Sequence, residues 1–183
     1  FFQALRDICT KQKILLIFDE VQTGMGRCGH WWGYEHLKVK PDAITIAKGL
    51  GGGHAIGALM VQKTLDIFKP GDHASTFGGN PFTCQAALTV AKEIDKRRLL
   101  QNVKSRGHEL KQGLLKLASE FPQHLTDVRG LGLIQALEIR KTSALNAQKI
   151  ALTALDHHLL VVGAGPKVIR MVPPLVIKEH EIF

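Results

Sequence analysis

Residues 14 to 20 of the chain are Ile14-Leu15-Leu16-Ile17-Phe18-Asp19-Glu20. Five apolar residues in a row, ended by two acids, are typical of a buried parallel strand whose carboxyl end presents charge. In open α/β sheets, ligands bind outside the carboxyl ends of the strands. This stretch therefore predicts an α/β fold with a ligand site close to Asp19.

A second predicted strand brings a lysine to the same edge of the sheet. Pro41-Asp42 introduces a short apolar run at residues 43–47, which ends at Lys48. Glycines dominate the loop that follows, so its backbone is free to adopt conformations that other residues avoid. We therefore expect two neighbouring strands to deliver an acid and a lysine to one edge, beside a glycine-rich loop and a third apolar stretch at residues 55–61.

The second half of the chain predicts a different architecture. Asn80 followed by Pro81 is a typical helix start, because asparagine caps a helix and proline suits its first position. The later predicted elements are a second helix to about Ser119, strands at residues 125–128 and 133–139, a helix at 142–158 and a hairpin over 159–172. The first half is thus predicted to be α/β and the second α+β, divided after residue 95.

Both ends of the chain have the pattern of a helix. Phe1, Ala4, Leu5 and Ile8 recur at helical spacing, and the last six residues resemble the first turn of another helix. We therefore expect the chain to be a piece of a longer protein.

Composition and charge argue against several classes of protein. The chain has 183 residues, with 24 Lys and Arg against 16 Asp and Glu, which gives a formal net charge of +8. The cations are dispersed apart from one cluster at residues 96–98, so a nucleic-acid partner is not expected. The sequence has no apolar run of about 18 residues and no leader pattern, which predicts a cytoplasmic protein without a membrane partner.

Cysteine and histidine spacing argues against disulfides and metal sites. Cys9, Cys28 and Cys84 are widely spaced and form no CxxC pair. The nine histidines include no HExxH motif, so no metal is expected. Cys28 and Cys84 have no obvious activating neighbour and are predicted to be buried, unreactive thiols.

An acid and a lysine at adjacent strand ends, followed by a glycine-rich loop, suit a pyridoxal 5'-phosphate (PLP) site. The lysine forms a Schiff base with the cofactor, and the carboxylate keeps the pyridine nitrogen protonated, so that the ring withdraws electrons from the substrate. This spacing alone is equally compatible with purely structural roles for the two residues. An Asp at a strand end is often a cap or an ion-pair partner, and a lysine is usually a solvated surface charge.

Four blocks of sequence resemble the fold-type I, class III (subgroup II) aminotransferases. In chain order the blocks are Phe18-Asp19-Glu20-Val21-Gln22-Thr23-Gly24-Met25-Gly26-Arg27, then Pro41-Asp42 with Ala47-Lys48-Gly49-Leu50-Gly51-Gly52-Gly53, then Ser75-Thr76-Phe77-Gly78-Gly79-Asn80-Pro81, and finally Gly163-Ala164-Gly165-Pro166 leading to Ile169-Arg170 and Pro173-Pro174-Leu175. The resemblance implies that residues 1–95 are the C-terminal part of the large PLP-binding domain. Residues 96–183 would then be the small α+β C-terminal domain.

The resemblance also implies roles for individual residues. Asp19 would pair with the pyridine nitrogen of PLP, Val21 would pack against a face of the ring, and Gln22 would contact its phenolic oxygen. Lys48 would be the Schiff-base lysine and the general base that moves a proton between substrate and cofactor, a role that requires an amine shielded from water. Val21 and Gln22 fit ordinary packing at a strand exit equally well.

Two further roles concern anionic groups. Thr76 matches the position whose hydroxyl and backbone N–H reach the cofactor phosphate of the neighbouring subunit, as small donors beside glycines can. Arg170 matches the arginine that binds the α-carboxylate of the dicarboxylate substrate, for which a planar bidentate donor suits the geometry. Without the resemblance, Thr76 would be read as part of a turn and Arg170 as a strand-edge arginine.

The activity implied is PLP-dependent transamination by a homodimer with shared active sites. N-Acetylornithine and 2-oxoglutarate would give N-acetylglutamate semialdehyde and glutamate, a step of arginine biosynthesis. Ornithine, 4-aminobutyrate or another ω-amino donor, or the chemistry of a PLP aminomutase, remain alternatives, as does an inactive binding subunit that retains the fold. The chain alone is expected to be a poor catalyst. His54-Ala55 departs from the family, which commonly has a proline there, and this predicts a loop after Lys48 that is either more mobile or partly rebuilt.

Overall fold

The computed structural model describes residues 1–182. They form two compact units, the first from Phe1 to Arg98 and the second from Leu99 onward. The predicted division after residue 95 lies in the last turn of the helix that ends the first unit. The assignment of the two units to the large and small domains of an aminotransferase stays a prediction.

The first unit contains two helices and a small mixed sheet. Its elements are α1 (Phe2–Gln12), β1 (Ile17–Asp19), β2 (Ala43–Ile46), β3 (Ala58–Val61) and α2 (Pro81–Lys96). β1 pairs in parallel with β2, and β3 pairs with β2 in the antiparallel direction. The α/β character predicted for this half is therefore confirmed.

The prediction that residues 14–18 form a buried strand was wrong in part. The strand begins only at Ile17, and the side chains of Ile14, Leu15 and Ile17 are more than half exposed. Side chains alternate between the two faces of a strand, and α1 packs against only one face, where Leu16 is buried. The buried strand is β2, because it is the middle strand and has a neighbour on each side.

The helix α2 begins as the sequence predicts. Asn80 is its N-cap, and the Asn80 side-chain oxygen accepts a hydrogen bond from the Thr83 N–H at 3.1 Å. The helix packs on the glycine turn that follows β2. A Cβ atom at Gly52 would lie 2.8 Å from Val90 Cγ2, so glycine permits this close approach.

The second unit is an α+β arrangement with an antiparallel sheet. Its elements are α3 (Leu99–Glu120), β4 (Leu125–Leu131), β5 (Ile134–Ile139), α4 (Ala147–Asp156), β6 (Val162–Gly163) and β7 (Val168–Met171). The strand order is β4-β5-β7-β6. The helix predicted over residues 142–158 is shorter than expected because Asn146 caps its N-terminus.

One face of this sheet packs against helix residues in a closed apolar core. Ile139 has no exposed surface and lies in one cluster with Leu114 of α3 and Ala147 of α4. Helix α3 also approaches the turn between β4 and β5 closely, since a Cβ atom at Gly107 would lie 2.4 Å from the Gly132 carbonyl oxygen. Within residues 1–182, no helix combines the length and apolar character that crossing a membrane requires.

Candidate active site

The carboxyl ends of β1 and β2 lie side by side. Asp19 is the last residue of β1 and is paired in register with Thr45 of β2. Its Oδ1 atom accepts hydrogen bonds from the Val21 N–H at 2.9 Å and from Thr45 Oγ1 at 3.3 Å. Asp19 is exposed, so the carboxylate is held in place by its neighbours while it remains open to a ligand.

Lys48 follows β2 at the same edge of the sheet. It begins a single turn of 3₁₀ helix, Lys48–Gly51, and its backbone has φ of 45°, in the left-handed region. Such a backbone is strained for a residue with a side chain. Lys48 is exposed within residues 1–182, whereas its predicted role requires an amine shielded from water.

A compact loop, residues 20–34, follows β1 and is called the Glu20 loop below. Glu20 is 3% exposed. Its Oε2 atom accepts hydrogen bonds from the Thr23 hydroxyl and, at 2.9 Å, from the Gly33 N–H. Its Oε1 atom accepts a hydrogen bond from the Tyr34 N–H at 2.7 Å. The loop is therefore folded around a buried carboxylate.

The Glu20 loop carries two of the predicted cofactor contacts, Val21 and Gln22, both half-buried. It also carries Met25, which is buried and has a left-handed backbone with φ of 54°. A Cβ atom at Gly49 would lie 3.3 Å from Met25 Cβ, so Met25 lies beside the residue directly after Lys48. The loop thus reaches both sides of the Asp19–Lys48 edge.

Cys28 is enclosed in the Glu20 loop. Burial, followed by the nearby negative charge of Glu20, raises the pKa of the Cys28 thiol to about 11. The Nε2 atom of His36 lies 2.8 Å from the Cys28 carbonyl oxygen and 3.1 Å from His30 Nδ1. The expectation that Cys28 is buried is confirmed, whereas Cys84 is exposed, so the expectation of burial was wrong for it.

Thr76 and Arg170 are the two predicted site residues that lie outside the Glu20 loop and the Asp19–Lys48 edge. Thr76 lies on an exposed loop before α2, where Ser75 Oγ accepts a hydrogen bond from the Gly78 N–H at 2.9 Å. Within residues 1–182, Thr76 makes no hydrogen bond with Asp19 or Lys48. Arg170 belongs to the second unit, on β7, where it is half-buried and paired with Ala136 of β5 and Val162 of β6.

Glu20 is the residue that sequence reasoning missed. The cluster of glycines after Asp19 predicts a break in regular structure, and the structure shows the reason for one of them. A Cβ atom at Gly33 would lie 2.9 Å from Thr23 Cβ and 3.1 Å from Glu20 Oε2. The cluster of glycines was the signal that the sequence offered, but it does not identify Glu20 as the buried group around which the loop packs.

The model of the family described as "Aminotransferase class-III" matches residues 1–183. The chain belongs to the class-III aminotransferase family. The resemblance stated from the four sequence blocks is therefore confirmed. Class-III aminotransferases use PLP, which an exposed carboxylate and a lysine at adjacent strand ends suit. Among residues 1–182, no group of three His, Cys, Asp or Glu side chains is arranged to hold a metal ion.

Curated relatives of this class-III chain are named acetylornithine aminotransferase. The protein from Prochlorococcus marinus (strain MIT 9313) is 60% identical over 182 residues, which are 100% of this chain and 44% of the relative. The protein from Nostoc sp. is 54% identical, again over 100% of this chain and 43% of the relative. The chain thus spans less than half of the length of these relatives.

Two solved aminotransferase structures have the same fold as this chain. Ornithine aminotransferase from Plasmodium yoelii superposes with a TM-score of 0.91 at 33% identity, over 99% of this chain and 48% of that structure. Acetylornithine aminotransferase from Elizabethkingia anophelis superposes with a TM-score of 0.88 at 32% identity, over 99% of this chain and 46% of that structure.

Proposed function

We propose that this chain supplies the acid and the lysine of a PLP-dependent aminotransferase. The whole protein would transfer the ω-amino group of N-acetylornithine to 2-oxoglutarate, giving N-acetylglutamate semialdehyde and glutamate. The single observation that carries the proposal is the pairing of β1 and β2, which brings Asp19 and Lys48 to one carboxyl edge of the sheet.

The choice of amino donor rests on the curated relatives. Eight curated relatives that are 49% to 62% identical to this chain are all named acetylornithine aminotransferase. Ornithine is the second candidate, because several of the superposing structures are ornithine aminotransferases, although their identity is lower, at 29% to 33%. 4-Aminobutyrate and aminomutase chemistry remain further alternatives, since Asp19 and Lys48 would serve any of these reactions.

The residues of the Asp19–Lys48 edge would divide the work between them. Bound PLP supplies an electron-withdrawing ring that makes the carbon bearing the transferred amino group acidic. The Asp19 carboxylate would hold a proton on the pyridine nitrogen, while Val21 and Gln22 hold the ring by a face and by its phenolic oxygen. Lys48 Nζ would bind the cofactor and then move the proton at the reacting carbon.

The remaining assignments concern the substrate carboxylate and the assembly. Arg170 would bind the α-carboxylate of 2-oxoglutarate through its planar guanidinium. Thr76 would donate its hydroxyl and N–H to the cofactor phosphate of a second subunit, so the active protein would be a homodimer with shared sites. We also propose that it works in the cytoplasm, as part of arginine biosynthesis, without a nucleic-acid or membrane partner.

Trapping of the cofactor tests the proposal. The longest form of the protein is incubated with PLP, reduced with borohydride and digested, and the added mass is located by peptide mapping. We expect the adduct on Lys48 alone, and its loss in Lys48→Ala, which retains the backbone but lacks the amine. Absence of an adduct from the longest form would overturn the aminotransferase assignment.

Comparison of amino donors separates the substrates. The same protein is assayed for glutamate production from 2-oxoglutarate with N-acetylornithine, ornithine or 4-aminobutyrate as donor. The proposal expects the highest kcat/KM for N-acetylornithine. A higher value for either of the others would transfer the assignment to that substrate while leaving the roles of Asp19 and Lys48 unchanged.

A further inference from the structure

The buried carboxylate of Glu20 has no role in the chemistry assigned above. It lies between Asp19 and Val21 in sequence, yet it is turned away from the exposed edge and is 3% exposed. Its partners are far along the chain, because the Gly33 and Tyr34 N–H groups come 13 and 14 residues later. A carboxylate has acceptors only, so it suits a position surrounded by donors.

Glu20 also fixes the start of the loop through its backbone. Its N–H donates to the Thr45 carbonyl of β2 at 3.0 Å, and its carbonyl accepts from the Gly24 N–H at 2.9 Å. Together with the side-chain bonds to Gly33 and Tyr34, these contacts tie the beginning of the loop to its end and to the sheet. One residue therefore closes the whole Glu20 loop.

Closure of the loop determines where the residues around the cofactor edge lie. The Val21 N–H donates to Asp19 Oδ1, so a shift of Val21 disturbs the Asp19 carboxylate. Met25 lies beside Gly49, so a shift of Met25 toward it would disturb the segment that contains Lys48. Both sides of the edge thus depend on the same loop.

We infer that Glu20 is a positioning residue, whose buried carboxylate closes residues 20–34 and thereby holds Asp19, Gln22 and Lys48 in register for PLP. The part that concerns PLP rests on the proposed function. The part that concerns closure of the loop stands on the hydrogen bonds alone.

The isosteric variant Glu20→Gln breaks this arrangement whichever way its amide is turned. The two carboxylate oxygens accept from different backbone groups, Oε1 from Tyr34 and Oε2 from Gly33. The amide NH₂ of glutamine must face one of those N–H donors, and that donor loses its acceptor in a place closed to water. The side-chain volume is nearly unchanged, so the variant tests the charge and the acceptors rather than the packing.

The three cysteines of the chain report closure of the loop without reference to activity. Cys28 is buried inside the loop, Cys84 is exposed on α2, and Cys9 is buried in a separate cluster with Leu16 and Val39. Modification with iodoacetamide at about pH 8, followed by peptide mapping, measures each thiol separately. In the unchanged protein we expect Cys84 to react readily and Cys28 to be protected.

We expect Glu20→Gln to raise the modification rate of Cys28 by about tenfold or more, because a lost buried acceptor favours local opening. Loss of the Glu20 charge also lowers the Cys28 pKa, so Thr23→Val, which keeps that charge and removes one donor to Glu20, should raise the rate in the same direction. Glu35→Gln is the matched control. Glu35 is an exposed carboxylate in the turn that ends this loop and accepts the Trp32 N–H at 2.9 Å through Oε1, a bond that glutamine can keep. Its Cys28 rate should equal that of the unchanged protein.

The positioning role has its own measurements. In Glu20→Gln we expect the dissociation constant of PLP to rise about tenfold. We also expect the pH midpoint of the visible absorption band of bound PLP to shift. Glu35→Gln should change neither. The midpoint reports the charges next to the cofactor, so a loss of stability alone would leave it where it is.

Each outcome has a defined meaning. Protection of Cys28 in Glu20→Gln would overturn the closure, and an exposed Cys28 with unchanged PLP binding and midpoint would overturn the positioning role. If Cys9 also became reactive, the variant would be unfolded, and Thr23→Val, which removes one donor to Glu20, would replace it with the same expected changes at a smaller size. If the unchanged protein bound no PLP, the proposed function would fail, while the cysteine rates would still decide the closure.

Discussion

Each of the two units of the chain is stabilised internally by a different kind of contact. In the second unit, a four-stranded sheet encloses side chains that have no exposed surface, such as Leu133 and Ile139. In the first unit, every residue of β3 is exposed. Asp42 accepts from the Leu16 N–H just before β1, and Glu20, just after β1, accepts from the Tyr34 N–H. Apolar packing thus dominates the second unit, whereas buried or half-buried carboxylates organise the region of the candidate site.

The largest expected effect concerns the apolar core of the second unit. Ile139→Ala should lower the free energy of unfolding by about 3 to 4 kcal/mol, because it leaves a cavity in a closed core. Chemical denaturation measures the loss. The graded variant Ile139→Val should cost only about 1 kcal/mol. Equal costs for the two variants would contradict the tight packing inferred for this core.

The next effect concerns Asp42, which joins α1 to the sheet of the first unit. Its Oδ2 atom accepts from the Leu16 N–H and from Arg6, each at 2.7 Å. Burial acts to raise the pKa of this carboxyl, but the hydrogen bonds from Leu16 and Arg6 outweigh it and hold the pKa below its usual value of 3.8. Asp42→Ala should therefore cost about 2 kcal/mol of stability near pH 7.

The pH dependence of this cost has a definite sign. Because the folded state lowers the pKa of Asp42, the contribution is complete above pH 3.8 and is lost as the pH falls through the folded-state pKa. The stability difference between the unchanged protein and Asp42→Ala should shrink below pH 3.8 in acid denaturation series. A difference that grew in acid would mean that the carboxylate is not the group that matters.

The smallest expected effect concerns two asparagine helix caps, one in each unit. Asn80 caps α2 in the first unit and Asn146 caps α4 in the second, each through its side-chain oxygen, at 3.1 and 2.8 Å from the accepted N–H nitrogen. Each Asn→Ala change should cost about 1 kcal/mol, which thermal unfolding resolves. A much larger cost at one cap would show that the two units depend on their helices to different degrees.

These caps illustrate what the sequence could predict. Asn80 and Pro81 act on the turn that follows them, so local pattern was enough to locate the start of α2. The acid and the lysine at neighbouring strand ends were predicted for the same reason, since the local sequence of each strand indicates where it ends. The family was also identified from contiguous blocks.

The features that sequence could not predict depend on distant partners. The exposure of Ile17 follows from which face of β1 the helix α1 covers. The role of Glu20 follows from N–H groups that come 13 and 14 residues later, and a single sequence carries no sign of such a pairing. Cys84 was expected to be buried, but it lies on an exposed position of α2.

The left-handed backbone of Lys48 has a consequence for how this region can evolve. The glycines at positions 52 and 53 adopt positive φ without strain, and a glycine at position 48 would do the same. Selection for stability alone would therefore favour replacement of this lysine. A lysine at position 48 thus carries a backbone strain that a glycine would not, and the proposed Schiff-base role of its amine would explain why a lysine stands there.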